Sequence, residues 1–76
     1  MELNKFIENI AIQFEDTDQS EFIAETKFKE LEEWSSLMAL LVIAMIDNEY
    51  HVKVKGDDIR NSNTINDLYE IVRTKV

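Results

Sequence analysis

Apolar residues recur at Leu3, Phe6, Ile7, Ile10 and Phe14, in steps of three and four that gather them on one side of a helix. The spacing predicts a first helix over residues 2–15. From residue 16 to residue 35 the rhythm is lost: Asp16, Thr17, Asp18, Gln19 and Ser20 are polar, and Phe22, Ile23, Phe28, Leu31 and Trp34 follow without a sustained period. A long connection pinned by apolar anchors is expected there. Structureless loops of about 20 residues are uncommon in compact domains, so a short helical turn is expected around Phe28 to Glu32.

A second helix is predicted over Ser36 to Tyr50, with apolar residues in nearly every direction until Asp47, Asn48 and Glu49. At about 100° per residue, Ala39, Val42, Ile43, Ile46 and Tyr50 share one side, which is read as the core face. Leu37, Leu40, Leu41, Ala44 and Asn48 share the other, an apolar stripe flanked by Met38 and Met45 and edged by Asp47 and Glu49. His51-Val52-Lys53-Val54 alternates, but with no second run to pair with it an extended link is expected. Gly56 permits a turn, Asp57 or Asp58 can cap a short helical turn through Ile59, and Asn61-Ser62-Asn63 breaks the chain again. Thr64 can cap a last helix in which Ile65, Leu68, Ile71 and Val72 lie on one face, while Arg73 and Lys75 suit the negative end of its dipole. The pattern predicts an all-α fold: a small four-helix bundle of three main helices and one short one, with a long first loop, in a single domain over residues 1–76.

Charge narrows the choice of partners. Sixteen Asp and Glu against eight Lys and Arg give a net charge of −8, which repels nucleic-acid phosphates and anionic lipid and favours a partner with a basic face. Neither nucleic-acid binding nor membrane insertion is expected, since the longest apolar run, Leu37 to Ile46, is ten residues and too short to span a bilayer. Met1 to Lys5 lack the charged-then-apolar build of an export signal, and cytoplasm is the expected compartment. The chain has no cysteine, so disulfides, thiolate metal sites and catalytic thiols are excluded.

Catalysis is poorly supported, because a nucleophile needs a positioned base and the lone His51 lies fifteen residues beyond Ser36. The protein is therefore expected not to be an enzyme. Asp16, Asp18 and Ser20 match the first ligand positions of a calcium loop, but Glu21 stands where Gly is required and Lys27 where the closing Glu belongs, so no metal site is expected. Ser35 and Ser36, at the first turn of the second helix, have a use that needs no catalytic neighbours. Unpaired N–H groups and a positive dipole favour a phosphate esterified to a hydroxyl there.

The chain resembles the acyl carrier protein family, whose signature at the start of the second helix is Asp-Ser-Leu. The matching triplet is Ser35-Ser36-Leu37, and the likeness extends over nearly all 76 residues: the amphipathic first helix, the loop with Phe28, Leu31 and Trp34, the long helix ending in Tyr50, the extended link and the final helix from about Thr64. The resemblance implies a bundle of acyl-carrier type in which Ser36 carries 4′-phosphopantetheine, attached by a separate phosphopantetheinyl transferase. The carrier would hold acyl groups as thioesters and present them to acyl-transferring and acyl-condensing enzymes, in fatty acid, polyketide-like or other specialised biosynthesis. Acidity favours an acyl over an aminoacyl cargo, and a monomer is expected.

Two departures qualify the likeness. Ser35 replaces the Asp that commonly assists transferase recognition, though serine still caps a helix. Met38 and Leu41 occupy positions where the family commonly has acids. The expected partner surface is accordingly Ser35, Leu37, Met38, Leu40, Leu41, Ala44, Met45 and Asp47. An alternative follows from the same stripe: an unmodified, carrier-like helical adaptor that binds partners through it.

Overall fold

Leu3–Gln13 form α1, which buries Phe6, Ile10 and Ala11, in a computed structural model describing residues 1–76. The helix ends before Phe14, whose N–H turns back to the Ala11 carbonyl at 3.0 Å while its ring enters the core. The connection that follows contains two 3-10 turns, Gln19–Glu21 and Phe28–Glu30, the second at the start of the predicted helical turn. Asp18 caps the first turn, its carboxylate accepting from the Ser20 N–H and hydroxyl, both at 2.8 Å, and these bonds hold its pKa below the ordinary value.

Aromatic packing keeps this connection in place. Phe14 lies 5.2 Å from Phe22 and stacks on Trp34 at 6.3 Å, and Phe28 meets Trp34 edge-on at 5.3 Å. The carbonyls of Thr26 and Ala24 accept the N–H groups of Ile65 and Asn66 at 3.0 and 2.9 Å, completing the start of the last helix.

α2 is Ser36–Tyr50, α3 the five residues Gly56–Arg60, and α4 Ile65–Lys75. The fold is all-helical, three longer helices and one short one, with α1 against α2 and α4, and α3 against α4. One core of 16 residues draws on every helix and includes Val52 and Val54 of the link. The alternation at His51 to Val54 thus reports burial without a sheet. No helix is long and apolar enough to cross a membrane.

The structure corrects the sequence reading of α2 and of the turn. The buried side of α2 is Met38, Val42, Met45 and Ile46, while Ala39, Ile43 and Tyr50 are only half-buried. The helix is turned so that the arc from Met45 through Met38 to Val42 meets the core, a choice that its nearly uniform apolar surface leaves to tertiary packing. The backbone turns at His51 rather than Gly56: His51 closes α2 in the left-handed region, φ 57° and ψ 39°, and donates its N–H to the Asp47 carbonyl at 2.9 Å. Gly56 has no positive φ and is the first residue of α3. Asp58 acts from inside that helix, accepting from the Lys55 N–H at 3.0 Å.

Candidate functional site

The two serines at the start of α2 do different work. Ser35 is extended, and its hydroxyl accepts the Met38 N–H at 3.2 Å. Ser36 is the first helical residue, exposed, and its hydroxyl makes no hydrogen bond within the protein. The N–H groups of Ser36 and Leu37 likewise have no protein acceptor, whereas at α4 the equivalent amides are taken by loop carbonyls. Capping by Ser35 and the free hydroxyl of Ser36 follow from position: the residue before the first turn can fold its side chain back, and the next one points outward.

Ser36 borders a cleft of about 300 Å³ between α2, α3 and the end of the long connection. Trp34, Ala39, Ile43 and Ile59 give it apolar walls, and Lys29 and Arg60 supply the positive charge. The Lys29 ammonium donates to the Arg60 carbonyl at 2.9 Å, tying the connection to α3. A phosphate ester on Ser36 fits these surroundings: free N–H donors, two cations and room beside the hydroxyl. No imidazole shares the site, since His51 lies at the other end of the 15-residue α2, about 22 Å away.

The predicted partner surface divides. Leu37, Leu40 and Leu41 are 64%, 63% and 39% exposed, and Ala44 is exposed beside them. Met38 and Met45, expected to flank this stripe, instead lie in the core at 6% and 7% exposure, and no partner reaches them without unfolding the helix contacts. Asp47 is half-exposed and pairs with Lys53 at 2.8 Å.

Lys29, Arg60 and Ile59 escaped the sequence reading as site residues: Ile59 and Arg60 lie more than 20 residues beyond Ser36, and Lys29, though seven residues before it, sits in a connection without helical period. Only the folding of the connection and α3 onto α2 unites them, and no local spacing encodes it. The larger depression, about 470 Å³, is lined by Asp16, Glu21, Glu30, Glu32 and Glu33 with Thr17 and Leu31, and shares no residue with the Ser36 cleft. Its Glu33 carboxylate accepts from the Asp16 N–H at 3.1 Å and the Thr17 hydroxyl at 2.7 Å.

No protein-family model matches the chain, and no curated protein or solved structure is significantly similar to it.

Proposed function

We propose that the protein is a stand-alone acyl carrier of the acyl-carrier fold, acting in the cytoplasm and modified on Ser36 by a phosphopantetheinyl transferase. The observation that carries the reading is the free, exposed Ser36 hydroxyl on the first turn of α2 beside the neighbour that caps the helix. Such an arm supplies a thiol that carries the acyl group as a thioester. Ser36 provides the attachment oxygen, Ser35 fixes the helix start, and Leu37, Leu40 and Leu41 offer an apolar surface to the transferase and to acyl-transferring and acyl-condensing enzymes. The chain itself performs no bond-breaking step.

The test is intact mass after incubation with coenzyme A and a broad-specificity transferase, with Ser35→Ala and Ser36→Ala alongside. A gain of one phosphopantetheine, lost in Ser36→Ala and retained in Ser35→Ala, is the expected result. Absence of gain with several transferases overturns the reading.

A second reading draws on the exposed Leu37, Leu40 and Leu41 and on Ser35 in place of Asp: an unmodified adaptor that binds through this stripe. In that case Ser36→Ala leaves function intact and Leu41→Glu abolishes it.

A further inference from the structure

Lys5, Lys27, Lys29 and Lys55 pair with no carboxylate, and of these four only Lys29 lines the Ser36 cleft. It is half-buried and held by the Arg60 carbonyl at 2.9 Å, a bond that uses one of its three donors. Arg60 pairs with Asp57, but that contact is exposed, with both side chains more than 70% accessible, and is easily exchanged. Both cations line the cleft that contains Ser36, and on the other side of the connection Glu30, Glu32 and Glu33 line the acidic depression. An anion joined to the Ser36 oxygen is therefore drawn to one side of the connection and repelled from the other.

We infer that Lys29 and Arg60 form an anion subsite for the phosphodiester attached to Ser36, directing the arm into the cleft between α2 and α3; the inference rests on the carrier reading. Lys29 contributes a charge already fixed by its backbone acceptor, and Arg60 a planar set of donors suited to phosphate oxygens. No bond is made or broken by either residue.

The experiment loads wild type, Lys29→Met, Arg60→Met and, as a control outside the cleft, Lys27→Met with coenzyme A and transferase. Intact mass is followed by phosphorus NMR of the loaded proteins. The wild-type Lys29 ammonium resonance is also compared before and after loading, which requires no variant to fold. Full mass gain is expected in wild type and Lys27→Met, with a displaced Lys29 resonance in the loaded wild type, a shifted phosphorus resonance in the loaded fraction of Lys29→Met and Arg60→Met, and one unchanged in Lys27→Met. Normal mass gain with superimposable phosphorus spectra and an unmoved Lys29 resonance overturns this inference alone. No mass gain in wild type overturns the carrier reading and the subsite with it.

Discussion

The side-chain amide of Asn9 donates to the Tyr50 hydroxyl at 2.9 Å, joining the buried side of α1 to the last residue of α2. Asn9 is 8% exposed, and this bond is why it can be buried without leaving a donor unsatisfied. Tyr50 also packs its ring 5.8 Å from Phe6, which meets Tyr69 at 5.6 Å. Tyr50→Phe keeps the ring but strands the Asn9 amide, and should cost about 1–3 kcal/mol in urea denaturation. Adding Asn9→Leu should recover part of that loss, which a double-mutant cycle measures. Burial pushes the Tyr50 pKa above its ordinary 10.0, so the folded state favours the neutral phenol. Its contribution is complete below pH 10.0 and is lost as pH rises through the folded-state value, a dependence Tyr50→Phe should abolish.

The orientation of α2 gives a second prediction. Ile46 is fully buried, whereas Ile43 is half-buried at the edge of the Ser36 cleft. Ile46→Ala should cost about 2–5 kcal/mol and Ile43→Ala roughly half as much. Equal costs in urea denaturation would contradict the observed rotation of the helix.

These two cases mark how far the sequence was legible. The starts of α2 and α4 could be read because local chemistry sets them: Ser35 accepts the Met38 N–H and Thr64 the Asp67 N–H, each three residues on. The face of α2 could not be read, since Leu, Ile, Val, Met and Ala surround the axis and packing into the shared core decides which of them is covered. The Asn9–Tyr50 bond spans 41 residues of sequence and carries no local signal. At the candidate site, Ser36 was singled out by the resemblance of Ser35-Ser36-Leu37 to a carrier signature, and position alone gave only that both serines stand at the start of an apolar helix. Lys29 and Arg60 were not legible, because they reach the site through tertiary folding.

The stripe on α2 should govern recognition without affecting stability. Leu40 is 63% exposed, so Leu40→Glu should alter unfolding free energy by no more than about 0.5 kcal/mol. Under the carrier reading it should lower kcat/KM for transferase modification about tenfold or more, equivalent to about 1.4 kcal/mol of lost transition-state binding. Leu40→Gln, which adds no charge to the uncharged run from Leu37 to Ile46, should show a loss that added salt changes little.

The start of α4 supplies an acid-sensitive element. The Asp67 carboxylate accepts the N–H groups of Thr64 and Asn63 at 3.1 and 3.0 Å, and those bonds hold its pKa below the ordinary 3.8. A lowered carboxylate pKa means that the folded state binds the proton less readily than the unfolded chain. The stabilisation is therefore complete above pH 3.8 and disappears as pH falls through the folded-state value. Asp67→Asn should flatten the acid limb of a melting-temperature profile taken from about pH 5 to about pH 2. Thr64→Ala, which removes the reciprocal bond to the Asp67 N–H, should cost about 1 kcal/mol at neutral pH.

The chain's single glycine stands five residues after the position whose backbone would profit from one. His51 adopts φ 57°, where a Cβ crowds the following carbonyl at a cost of about 1–2 kcal/mol, and its side chain is exposed. His51→Gly should therefore stabilise the protein by about 1 kcal/mol. Gly56 opens α3 without a positive φ, and a Cβ there would meet nothing within 4 Å. Gly56→Ala should stabilise by about 0.4–1 kcal/mol, chiefly by narrowing the conformations of the unfolded chain. Urea denaturation of the two variants checks both. A loss of stability in Gly56→Ala would mean that α3 needs backbone freedom at its first residue, and a loss in His51→Gly would mean that the imidazole makes a stabilising contact outweighing the relief of the left-handed turn.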